Sequence, residues 1–115
     1  MRLMWTWRTI TDGKKYDRVG GLVPVHPGAF LREDILPHIS MSKKNLAGAL
    51  GISRAQLYAI LSESTPLTVA MALRLGKLFG NGPELWLNMQ SRYDIEILGA
   101  KMKKELEAIP FVEAA

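Results

Sequence analysis

The sequence predicts an all-α fold, and three observations carry that prediction. From Pro27 onward apolar residues recur at three- and four-residue steps, the period of a helix face. Helix-starting residues (Pro27, Ser42, Ser53, Thr68, Pro83) and helix-stopping ones (Pro37, Gly51, Gly80-Asn81-Gly82) bracket five such stretches. The aromatic and β-branched stretch from Met4 to Thr11 lies outside them.

Residues 1–24 read as an extended arm. No helical period runs through them, and Asp12-Gly13-Lys14-Lys15 and Gly20-Gly21 interrupt the chain, so the arm is a short strand or a disordered segment. Residues 25–107 form the folded domain. Pro27 suits the first position of a helix because its missing N–H has no partner there. This first helix buries Phe30, Leu31 and Ile35 and stops at about Leu36, since Pro37 disfavours helix in the residue before it. Ser42 caps a second helix from Lys43 to Leu50, with Leu46, Ala47 and Leu50 inward. Gly51 supplies the left-handed backbone that closes it. Ser53 and Gln56 have capping-box spacing at the start of a third helix, Arg54 to Leu61, with Leu57, Ile60 and Leu61 buried. Thr68 caps a fourth helix ending at Phe79, and Pro83 with Glu84 opens a long fifth one reaching about Glu107. A tail, residues 108–115, follows.

A chain of 115 residues supports one core. No run approaches the ~20 apolar residues of a membrane span, and the Arg2-Leu3-Met4-Trp5 start lacks the apolar core of a signal peptide. The expected location is the cytoplasm, with no membrane partner. The absence of cysteine excludes disulfides, thiolate metal sites and thiol nucleophiles. Net charge is +3 over residues 1–24, +2 over 25–62 and −1 over 63–115, so the basic front half favours a polyanionic partner.

Two helices joined by a tight glycine turn have the form of a helix-turn-helix, here residues 43–62. Ala47 falls where the helices cross, and Leu46, Leu50, Ile52, Leu57 and Ile60 fall inward. The second helix of such a unit lies in the major groove of double-stranded DNA while the first crosses the backbone. The reading surface is then Ser53, Arg54, Ala55, Gln56, Tyr58 and Ala59. Arg54 suits guanine, Gln56 adenine, and Ala55 or Ala59 a thymine methyl group. Gln56 has the capping box as a competing role, and Tyr58 has phosphate or sugar. Ser42, Lys43, Lys44 and Asn45 are placed for phosphate.

Other chemistry finds no foothold. His26 and His38 stand twelve apart without a ligand set, and the adjacent Glu33 and Asp34 point about 100° apart on a helix. No enzyme, metal or cofactor is expected. Trp86, Met89, Tyr93 and Ile97 form a stripe that is core or dimer interface.

The segments His26-Pro27-Gly28-Ala29-Phe30-Leu31-Arg32-Glu33, Leu46-Ala47 through Gly51-Ile52-Ser53-Arg54, Met71-Ala72-Leu73-Arg74-Leu75 and Trp86-Leu87-Asn88-Met89-Gln90 with Tyr93-Asp94 resemble the HigA (VapI-like) antitoxins, over about residues 25–98. The resemblance implies a five-helix domain of the lambda-repressor or Xre type and a homodimer. It further implies a palindromic operator in the chain's own promoter and a HigB-type mRNA-cleaving toxin as partner. Two departures stand out. Where the family often carries an Asn-Gly-Arg/Lys-like loop, this chain has Ser62-Glu63-Ser64-Thr65-Pro66, and Glu63 is expected to repel the DNA backbone unless the loop faces away. The resemblance does not extend to the arm, and Trp5 and Trp7 stand as toxin contacts, strand residues or part of a disordered extension from an early start codon. Two alternative functions accompany the leading one: a toxin-masking module with weak DNA binding, and a stand-alone Xre-type repressor.

Overall fold

The computed structural model describes residues 24–114; the expected arm or strand before Pro24, with Trp5 and Trp7, lies outside the described residues. The described residues fold into helices joined by short turns, with no strand among them.

Helix α1 starts as Pro27–Ala29, widens into a π-helix over Phe30–Ile35 and tightens into a 3-10 turn over Leu36–His38. The helical path therefore passes Pro37 instead of stopping at Leu36. Proline has no N–H to return to the preceding turn and its ring crowds the carbonyl four residues back, so the chain takes a different helical register on either side. Helices α2 (Lys43–Leu50), α3 (Arg54–Leu61) and α4 (Val69–Phe79) have the expected bounds. The Thr68 hydroxyl accepts from the Met71 N–H at 3.2 Å to start α4, and Gly80 in left-handed backbone ends it. The long C-terminal helix is broken once: α5 spans Pro83–Lys101, Met102 leaves helical geometry (φ −97°, ψ 15°), and α6 spans Lys103–Glu107.

The core lies where α1, α4 and the first half of α5 surround the inward sides of α2 and α3. Phe30, Leu31, Leu46, Leu57, Ala72, Leu75 and Trp86 are wholly buried. Trp86 is the largest of them. Its ring centre lies 5.4 Å from that of Phe30 and 6.2 Å from that of Phe79, and its indole N–H donates to Asn81 Oδ1 at 3.0 Å. Burying an indole this way removes a large apolar area from water while leaving its one donor satisfied. Trp86 and Met89 are thus core residues, Tyr93 is half-buried, and Ile97 is exposed beyond the core.

Helix α1 meets α3 at close range. A Cβ built on Gly28 would lie 1.9 Å from the Ile60 carbonyl oxygen, a backbone atom that cannot swing aside. Gly48, on the exposed side of α2, has nothing within 4 Å of its virtual Cβ. The two glycines predict opposite responses to one methyl group. Gly28→Ala should destabilise by about 3 kcal/mol through forced separation of α1 and α3. Gly48→Ala should stabilise by about 0.5–1 kcal/mol through helix propensity. Urea unfolding of the two variants checks both signs.

Candidate nucleic-acid interface

The start of α2 is set by Ser42, whose hydroxyl accepts from the Asn45 N–H at 3.1 Å. Ser42, Lys43, Lys44 and Asn45 are all exposed there, with their backbone at the partially positive end of the helix. At the other end Gly51 takes φ 73°. Its N–H reaches the Gly48 carbonyl at 3.1 Å and the Ile52 N–H reaches the Ala47 carbonyl at 3.0 Å, the paired bonds of a Schellman closure. One residue later Ser53 caps α3. Its hydroxyl accepts from the Gln56 N–H at 3.0 Å, and Gln56 Oε1 accepts from the Ser53 N–H at 2.9 Å. The capping role of Gln56 is therefore filled, which leaves its amide NH2 as the end that can meet a base.

With Leu57, Ile60 and Leu61 inward, the ~100° step of a helix puts Ala55, Ala59 and Ser62 directly opposite. Arg54 and Tyr58 flank that line on one side and Gln56 on the other. Ser53, Arg54, Ala55, Gln56 and Tyr58 are exposed and Ala59 is half-buried, so all six expected reading residues lie at the surface. The Lys43 ammonium stands over the Tyr58 ring, 5.5 Å from its centre.

Two arginines from outside the unit finish its helices. Arg74 of α4 donates to the Leu50 carbonyl at 2.7 Å, closing α2, and Arg32 of α1 donates to the Leu61 carbonyl, closing α3. A cation at a helix C-terminus also opposes the negative end of its dipole. Neither role is visible in local sequence, because each joins residues more than twenty positions apart. Gln90 is a third unanticipated residue: buried in α5, it accepts from the Leu67 N–H at 2.7 Å and donates to Asp94 at 3.0 Å, tying down the loop after α3. Its position four residues after Trp86, on the apolar stripe, is the signal that could have revealed it.

Glu63 turns out to have a backbone role. It is the non-glycine residue with positive φ, 63°, among the described residues. Its N–H reaches the Ile60 carbonyl and the Ser64 N–H reaches that of Ala59, each at 3.0 Å, so it occupies the left-handed position of a second Schellman closure. Its carboxylate sits 3.2 Å from Arg32, which also pairs with Glu33 at 2.7 Å. The negative charge expected to repel DNA is thus drawn toward α1 and partly balanced.

His26 supports the same corner. Its Nδ1 accepts from the Gly28 N–H at 2.9 Å, and its ring packs edge-on to Tyr93 at 5.0 Å. Burial lowers its pKa below the ordinary value of 6.5, outweighing the opposing pull of Glu63 and Asp94.

Two short helices linked by a three-residue turn, the second capped at both ends and polar outward, define a helix-turn-helix DNA-binding domain. No family model matches the chain. Virulence-associated protein I of Dichelobacter nodosus is 40% identical over 73 residues, 64% of this chain and 68% of that protein. The Pseudomonas aeruginosa antitoxin HigA, solved with the higBA promoter, shares 32% identity and a TM-score of 0.73, covering 78% of this chain and 99% of its own. An addiction-module antidote protein of the HigA family from Coxiella burnetii shares 40% identity and a TM-score of 0.69, covering 76% and 98%. The chain belongs to the HigA (VapI-like) family of antitoxins.

The buried His26 predicts a pH dependence of stability. The unfolded chain takes up the His26 proton near pH 6.5, while the folded chain does so only at lower pH. The stabilisation is therefore complete above about pH 6.5 and is lost as pH falls toward the folded value. Denaturation across pH 7.5 to 5.5 should show this decline, and His26→Asn, which keeps a cap acceptor without titrating, should flatten it.

Proposed function

We propose that this chain is the antitoxin of a toxin–antitoxin pair that binds a palindromic operator in its own promoter as a homodimer, represses that operon and neutralises a HigB-type mRNA-cleaving toxin. The observation that carries the DNA half is the outward face of α3, which presents Arg54 and the small residues Ala55 and Ala59 from a helix held at both ends by the chain's own groups. Support also comes from the Pseudomonas aeruginosa relative, which was solved with promoter DNA.

In this reading Arg54 pairs with guanine O6 and N7, Ala55 and Ala59 approach thymine methyl groups, and the free amide of Gln56 meets an acceptor on a base edge. Ser53 starts the helix at the groove. Ser42, Lys43, Lys44 and Asn45 meet phosphate at the start of α2, setting register. Dimer formation is favoured by the second half of α5, where Ile95 and Leu98, one turn apart on the same side of the helix, remain 69% and 53% exposed after the chain has folded. Clustered exposed aliphatic residues of this kind mark association surfaces. A two-fold dimer would set two α3 helices about 34–36 Å apart, one DNA turn, and thus select an inverted repeat. Membership in an antitoxin family supports the toxin partner.

A gel shift with the native upstream region tests the DNA half; no shift at low salt would sink it. Arg54→Ala should reduce the preference for that region by about 1–3 kcal/mol, whereas Lys44→Ala should weaken promoter and random DNA alike and flatten the salt dependence. Ile95→Glu combined with Leu98→Glu should convert dimer to monomer in light scattering with little change in unfolding. Co-expression with the product of the adjacent reading frame tests neutralisation. Rescue of growth without promoter binding would leave toxin masking as the whole function.

A further inference from the structure

The geometry points to Tyr58 as a positioning residue for Lys43: the ring holds the ammonium so that the pair grips one DNA backbone phosphate as a unit, and Tyr58 serves affinity rather than base choice. This rests on the reading that α3 faces DNA, and it assigns Tyr58 a task different from that of its neighbours on the same helix.

Two independent features support it. Lys43 opens α2 and Tyr58 lies in the middle of α3, yet the ammonium stands 5.5 Å from the ring centre, within reach of a cation–π attraction. The phenol lies on the flank of α3 turned toward the start of α2, where the Lys43 ammonium stands. Arg54 shares that flank but belongs to the first turn of the helix, whose residues meet base edges, whereas Tyr58 lies a turn further on, beside the first helix that crosses the phosphate backbone.

Lysine is a compact charge on a flexible stem, and immobilising it on a phosphate normally loses much rotamer freedom. A ring that already confines the ammonium lowers that loss. Tyr58 is half exposed, so the ring remains available to the cation at the surface where DNA would lie. The hydroxyl is not required for the holding, which is done by the face of the ring, and phenylalanine should substitute for it.

Fluorescence anisotropy of the full chain, titrated with promoter duplex and with random duplex of equal length across a salt series, tests the pair. Lys43→Ala should weaken both duplexes and reduce the slope of log affinity against log salt by about one. Tyr58→Ala should weaken both by about two- to tenfold, the range set by ordering one long side chain that the ring otherwise confines before binding. It should have no further effect once Lys43 is alanine, and Tyr58→Phe should restore the salt slope and affinity. Losses that multiply in the double variant, or a Tyr58→Ala loss confined to promoter DNA, would overturn the assignment. A wild-type chain that binds promoter and random duplex equally removes the operator reading alone, because coupling on random duplex still decides the pair. A chain that binds neither duplex overturns both.

Discussion

The reversal of the chain at Gly51 is the constraint on which the interface depends. Only Gly51, Ile52 and Ser53 separate α2 from α3, so the crossing of the two helices is set by a few backbone angles and not by a loop that can adjust. The left-handed φ of 73° excludes most side chains on conformational grounds. A Cβ there would also stand 2.9 Å from the Arg74 guanidinium and so displace the group that binds the Leu50 carbonyl. The glycine thus shapes the turn and leaves room for the arginine that closes α2.

The far end of α3 is held as firmly by different means. Arg32 takes the Leu61 carbonyl, Gly28 lets α1 press against Ile60, and Gln90 fastens the loop that follows. A glutamate in left-handed backbone is unfavourable by about 1 kcal/mol relative to glycine. At Glu63 the paired bonds of the closure and the contact with Arg32 offset that term. None of these groups lies on the outward face of α3. At this end of α3 the residues that hold the helix are separate from those that could meet DNA, whereas at its start Ser53 and Gln56 belong to both sets.

Charge is distributed along the unit in the same divided way. Lys43 and Lys44 stand at the start of α2, whereas the end of α3 carries Glu33, Arg32 and Glu63 in one cluster with a net negative charge. Attraction to a polyanion is concentrated at the first helix, and the loop after α3 does not add to it. This is where the sequence has Ser62-Glu63-Ser64-Thr65-Pro66 in place of an Asn-Gly-Arg/Lys-like loop. Membership in the HigA family and this local departure are compatible, because the core that defines the fold ends at Leu61 and resumes at Leu67.

The bounds of α2, α3 and α4 were legible in the sequence because their signals act over three or four residues. Ser42, Ser53 and Thr68 bond to N–H groups just ahead of them, and Gly51 and Gly80 need no partner to adopt positive φ. The inward residues of these helices followed from spacing alone. The outer edges of that reading were less secure. The turn carrying Pro37 and the break at Met102 depend on how neighbouring turns accommodate a local disturbance. Tertiary structure alone decided that Arg32 and Arg74 close the two helices, that Glu63 turns toward α1, and that the stripe on α5 divides into core at Trp86 and Met89 and exposed surface at Ile97. Each of these joins residues far apart in the chain or depends on where the core ends, and local periodicity carries neither distance. The sequence by itself determined the helix-turn-helix and the side chains it displays; the packing of α1, α4 and α5 around it decided which charges remain available at its surface.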